Sequence, residues 1–164
     1  TSPRSDNRFY HYDLISDILS NGDSSRMYQT LIKEKKLFSD INAFITGDLD
    51  KGLFIVSGKL NNSISMEDAE NAVEHELLKI QQQLVDEREL EKVVNKVESN
   101  LVFSRLSALH KAMNLCYYEI LGDAGLFNRE AEKYRAVTRQ DIQNTARELF
   151  APHRKNTLYY LSKK

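Results

Sequence analysis

Four histidines, one cysteine and a serine-rich loop are the residues of this sequence whose chemistry could serve catalysis or metal binding. They are His11, His75, His110, His153, Cys116 and the run Asn21-Gly22-Asp23-Ser24-Ser25-Arg26. A metallopeptidase helix needs two histidines one turn apart with a glutamate between them, as in H-x-x-E-H or H-E-x-x-H. The nearest approach is His75-Glu76-Leu77-Leu78-Lys79. Lys79 stands where the second ligand belongs, and an ammonium cannot coordinate a metal. This segment therefore reads as the exposed face of an amphipathic helix. His11 and His110 lack a ligand partner three or four residues away and read as surface or half-buried. Cys116 lies in the apolar stretch Met-Asn-Leu-Cys-Tyr-Tyr with no histidine nearby, which reads as a buried structural thiol. No P-loop, G-x-G-x-x-G or G-x-S-x-G occurs. The loop at 21–26 could hold an anion at a helix N-terminus, or Ser24 or Ser25 could simply cap that helix. The cap is the expected reading. Lys33, Lys35 and Lys36 form a basic group broken by Glu34, which suits a solvated helix end.

These residues need elements to hold them, and the periodicity supplies them in order. Tyr10, Leu14, Ile15, Ile18 and Leu19 predict a helix over about 8–20, stopped at Asn21-Gly22. A short helix is predicted over 25–35. Ile41, Ala43 and Ile45, the turn 47–52, and the run 53–60 predict an antiparallel hairpin. Ser65 with Asp68, Asp86 with Glu89, and Thr138 with Asp141 mark three helix starts. The pattern after Asp86 is too long for one globular helix, so a bend is expected near 105–107. Pro152 closes the last helix, and Thr157–Leu161 predicts a final strand. The fold class is α+β, a two-layer sandwich with a largely antiparallel sheet and helices on one face.

Composition sets the outer limits. The 164 residues carry 23 Lys+Arg against 24 Asp+Glu, a net charge of −1. Such a balance gives no basic surplus for nucleic acid. The length suits one domain over residues 1–164. No apolar run is long enough to span a bilayer, and no secretory leader opens the sequence. A single cysteine excludes an internal disulfide and any multi-cysteine zinc site.

The segment from Asp13 to Leu37 resembles the opening of the second domain of insulinase-like zinc metallopeptidases, the pitrilysin and mitochondrial processing peptidase family. The matching residues are Gly22, Ser24, Ser25, Arg26, Tyr28, Gln29, Leu31 and Leu37. The hairpin, capped helices, long helical hairpin and last helix follow in the family's order. The resemblance implies a fragment of a longer clamshell protein whose zinc is held by H-x-x-E-H in a missing N-terminal domain. Zinc would then belong to the parent, with none bound by this chain and no catalytic residue in it. The implied function is an accessory domain of a zinc-dependent metalloendopeptidase that closes the substrate chamber around a peptide. The alternatives are a non-catalytic structural or assembly subunit, and a stand-alone interaction module sharing only the fold.

The family's later domains also contribute an Arg and a Tyr that hold the substrate backbone. Those positions fall on Ile32 and Ser39, and a family glycine falls on Lys36. Isoleucine has no guanidinium fork and serine no phenolic reach. The resemblance thus implies a homologous subunit, or a later domain, as the source of the Arg–Tyr pair. Ser24, Ser25, Arg26 and Ser39 remain the candidates for lining the chamber. A soluble parent, periplasmic or membrane-peripheral, is the corresponding expectation. A strand is expected ahead of Thr1, and its loss would favour self-association through the sheet edge.

Overall fold

The hydrophobic stripe of the first helix organises the core. In the computed structural model, which describes residues 1–161, helix α1 spans Arg8–Ser20 and buries Phe9, Tyr10, Leu14, Ile15, Ile18 and Leu19. Its burial follows the i, i+4 spacing read from the sequence. α1 lies on strand β1 (Phe38–Ile45), which pairs antiparallel with β2 (Phe54–Leu60). Ile41 and Ala43 of β1 face the helix and are buried, while Asn42 between them is exposed. The end of α1 is also stitched to the strand backbone. Ser20 Oγ donates to the Ala43 carbonyl at 2.9 Å and accepts from the Ala43 N–H at 2.7 Å. Among the described residues the sheet has these two strands only.

Five further α-helices complete the domain, three of them packed directly on α1. They are α2 (Met66–Gln82), α3 (Glu87–Ser104), α4 (Ala108–Ile120), α5 (Leu126–Arg135) and α6 (Arg139–Leu149). α3, α5 and α6 pack on α1, and α2 packs on α6. Three of the five starts carry the caps read from the sequence, whereas α5, which the periodicity did not separate, starts after Gly125 with no side-chain cap. Ser65 Oγ accepts from the Asp68 N–H at 3.0 Å. Thr138 and Asp141 form a reciprocal capping box, at 3.1 and 2.9 Å. Asp86 caps α3 through the Arg88 N–H, whereas the Glu89 side chain leaves the helix end for Arg26. The long pattern breaks as expected between α3 and α4, where Ser107 becomes a new N-cap.

Several expectations change. The segment expected as a helix over 25–35 is a π-helix, Tyr28–Glu34. The Lys35 N–H reaches back five residues to Thr30 O at 2.9 Å. Apolar spacing alone does not distinguish a π turn from an α turn over so few residues. Thr157–Leu161 forms no strand. It is exposed and tied by side chains to α2, with Glu70 accepting from Thr157 at 3.0 Å and also from Lys155 and Tyr159. The Lys155 hydrogen bond, joined by those of Tyr159 and Thr157, holds the Glu70 carboxyl down at about 2. Cys116 is exposed rather than buried, because α4 turns Tyr118 inward instead. Glu76, expected on an exposed face, is buried and accepts from Lys79 Nζ at 2.7 Å. His75 beside it is exposed.

Candidate functional site

The loop after α1 is one part of the chain where polar side chains gather around a cavity. Gly22 turns the chain with φ +92°, a left-handed conformation that glycine adopts without penalty. A Cβ there would also meet Lys96 Nζ at 3.3 Å. Glu89, Lys92 and Lys96 recur at spacings of three and four, so they share one side of α3 and all face the loop. Lys92 Nζ donates to Ser24 Oγ at 3.0 Å and to the Ser24 carbonyl at 3.3 Å. Lys96 Nζ donates to Asn21 Oδ1 at 2.7 Å and to the Asn21 carbonyl at 3.2 Å. Arg26 places its fork on Glu89, with Nε–Oε1 at 2.9 Å and Nη2–Oε2 at 2.6 Å. Each side chain of that pair is only 20% exposed.

Between the loop and α3 lies a cavity of about 400 Å³, lined by Asp17, Gly22, Ser24, Ser25, Lys92 and Lys96 among others. Burial pushes the Asp17 carboxyl above its usual range, and the Asn21 amide, donating at 2.7 Å, opposes that shift. Ser25 is buried and its hydroxyl has no partner among the described residues. Neither serine caps the helix that follows: Ser24 Oγ serves Lys92, and the helix start has no side-chain cap. The capping expectation for this loop is therefore corrected. The α3 lysines replaced it, a long-range contact with no local sequence signal.

The four chamber candidates do not converge on one point. Ser24 and Ser25 line the cavity, and Arg26 is committed to Glu89. Ser39 sits at the far end of β1, where the pairing skips from Phe38 to Asp40, and is thus the extra residue of a β-bulge. Its hydroxyl donates to the Lys59 carbonyl at 3.1 Å. Ile32, at the family's arginine position, packs against the core. Lys36, at the family's glycine, has φ +51° and keeps the backbone shape a glycine would favour.

No nucleophile is paired with a base here. His11 Nδ1 lies 3.0 Å from Thr145 Oγ1, away from the loop, and burial lowers its pKa. Nor do the residues fit a zinc ion. Among the described residues no three His, Cys, Asp or Glu side chains gather, and Lys79 occupies the second position of the His-Glu helix. Among the described residues no helix is long and apolar enough to cross a membrane.

The family model described as "Peptidase M16 inactive domain" matches residues 1–97. No curated protein matches the chain by sequence. Among solved structures, it resembles the inactive peptidase domain of a "putative zinc protease" from Bordetella parapertussis. That likeness has TM-score 0.88 and 21% identity over 100% of this chain and 88% of that one. A "putative zinc protease" from Bordetella pertussis Tohama I gives 0.83 and 21%, over 97% and 88% of the two chains. A protease from Helicobacter pylori gives 0.84 and 19%, over 92% of this chain but 36% of that one. At these identities the structures speak for the fold, and the family model supplies the membership. The chain belongs to the peptidase M16 family, as one of its inactive domains.

Proposed function

We propose that this chain is an accessory domain of a zinc-dependent metalloendopeptidase, closing the substrate chamber while a separate N-terminal domain holds the zinc. The observation that carries the reading is the match of residues 1–97 to the inactive domain of the peptidase M16 family. In such an assembly this domain supplies walls rather than chemistry. The peptide would meet the polar surface of the loop at Ser24, held by Lys92, with the buried Ser25 behind it. Arg26 would shape that wall indirectly through its pair with Glu89, whereas Ser39, at the far end of β1, would stand apart from it.

A second reading, a structural or assembly subunit without chemistry, is favoured by that same engagement. Ile32 and Ser39 leave the substrate clamp to be filled from elsewhere, so in an active assembly a homologous subunit or later domain supplies the Arg–Tyr pair. Metal analysis and fluorogenic-peptide hydrolysis separate the readings. The purified chain alone is expected to hold no stoichiometric zinc and cleave nothing. Adding the zinc-binding domain, with the subunit that brings the Arg–Tyr pair, is expected to give chelator-sensitive hydrolysis. Proteolysis by this chain alone would overturn both readings. Hydrolysis by the zinc domain at an unchanged rate with and without this chain would remove the accessory role.

A further inference from the structure

The cavity between the loop at 21–25 and α3 has more hydrogen-bond donors on its walls than it uses. Lys92 and Lys96 stand one turn apart on α3, and both line it. Each ammonium carries three N–H donors. Lys92 directs its contacts to the Oγ and carbonyl of Ser24, and Lys96 to the Oδ1 and carbonyl of Asn21. One donor is left on each. A third belongs to Ser25, which also lines the cavity. Ser25 is 3% exposed, and its Oγ has no partner among the described residues. A buried hydroxyl without a partner costs free energy that a ligand can recover.

The acceptors on the same walls are largely engaged. The Asn21 and Ser24 oxygens take the lysine donors, and Asp17 Oδ1 takes the Asn21 amide at 2.7 Å. The unused capacity is therefore donor capacity, and it sits on two cations and a hydroxyl. A ligand that fits must bring acceptor oxygens and negative charge. Two carboxylates line the cavity as well and oppose such a ligand. Asp23 is exposed, so water and salt screen its charge. Asp17 is half-buried, and burial already disfavours its charged form. At about 400 Å³ the cavity lies near the lower end of the range for ligand pockets, which suits a small group.

We propose that this cavity binds a small oxyanion, held by the Lys92 and Lys96 ammoniums and the Ser25 hydroxyl. Free phosphate and the carboxylate at the end of a peptide share the chemistry required. Each presents at least two acceptor oxygens and a negative charge, and charge-assisted hydrogen bonds to ammonium groups are the strong ones. The bound anion serves as a common counter-charge for the two lysines that already fasten the loop to α3. It also gives the Ser25 hydroxyl the acceptor that the chain does not. The inference does not rest on the peptidase reading, because every group it uses belongs to this domain.

Amide NMR of the full chain, titrated at constant ionic strength to roughly 20 mM ligand, tests it. The ligands are inorganic phosphate, an N-acetylated dipeptide with a free carboxylate, and the same dipeptide as its C-terminal amide. Saturable shifts confined to residues 21–25 and 92–96 are expected with phosphate or the dipeptide acid, and none with the amide. A response to phosphate alone supports the site with a free anion as its ligand, and a response to the acid alone supports it with a peptide end. Lys92→Gln and Lys96→Gln should each weaken binding about tenfold, and Ser25→Ala about threefold. The lysines also hold the loop, so the decisive variant is Asp17→Asn. It keeps an acceptor for the Asn21 amide, removes the opposing charge and should tighten binding about threefold, which a loosened loop would not do. No saturable shift with either anion, equal shifts with the amide, or an affinity that these variants leave unchanged would overturn the proposal.

Discussion

Replacing Arg4 by methionine should destabilise this domain far more than an ordinary change near a chain end. Arg4 reaches from the first residues to Glu130 on α5, more than a hundred positions away. Its side chain is 24% exposed, and that of Glu130 is 1% exposed. The guanidinium also lies over the rings of Phe9, Tyr117 and Tyr118, at 5.0, 5.6 and 5.9 Å. Methionine keeps much of the apolar contact but leaves a buried carboxylate with the Tyr118 hydroxyl as its remaining donor. Breaking a buried pair from one side costs about 3–5 kcal/mol, and partial access of water on the Arg4 side brings this to about 3. For a domain of this size that is a fall in Tm of roughly 6–12 °C. Urea unfolding at pH 7 measures it. The double variant Arg4→Met, Glu130→Gln should recover at least half of the loss, since no charge is then stranded. A loss below 1 kcal/mol, or no recovery in the double variant, would refute the reasoning.

Other substitutions test other parts of the molecule. Lys36→Gly should stabilise by about 0.5–1 kcal/mol, because Lys36 holds a positive φ that glycine adopts freely, and a destabilised variant in urea would contradict this. A double-mutant cycle on Arg26→Ala and Glu89→Ala should give a coupling of about 1–2 kcal/mol, reflecting a half-buried bidentate pair, and additive losses would show that the loop is not held this way. His11 should titrate below 6.5 by NMR, because burial disfavours its charged form. Its contribution to stability is then complete above about pH 6.5 and lost as pH falls through the folded pKa, and His11→Gln should flatten that slope in urea titrations between pH 7 and 5.

Much of the architecture was legible because it is written locally. The stripe of α1 has the period of a helix, the hairpin has alternation, and Thr138 with Asp141 announces its helix within four residues. Contacts between distant residues were not legible. Nothing near Arg26 points to Glu89, and nothing near Arg4 points to Glu130. The loop serines looked like caps because capping is local, whereas the lysines that hold Ser24 and Asn21 come from another helix. Cys116 misled for a related reason. An apolar helical stripe signals a buried face, but periodicity does not say whether the covering surface belongs to the same molecule. The tail at 157–161 has the composition of a strand, and hydrogen bonds to Glu70 hold it along α2 rather than on a sheet edge.

The π-helix at Tyr28–Glu34 also decides which side chains meet on its surface. Closing the backbone ring five residues back, instead of four, brings residues five apart onto one side of the helix. Tyr28 and Lys33 are such a pair, and the Lys33 ammonium lies 5.4 Å from the Tyr28 ring. Leu31 and Ile32 turn to the core instead.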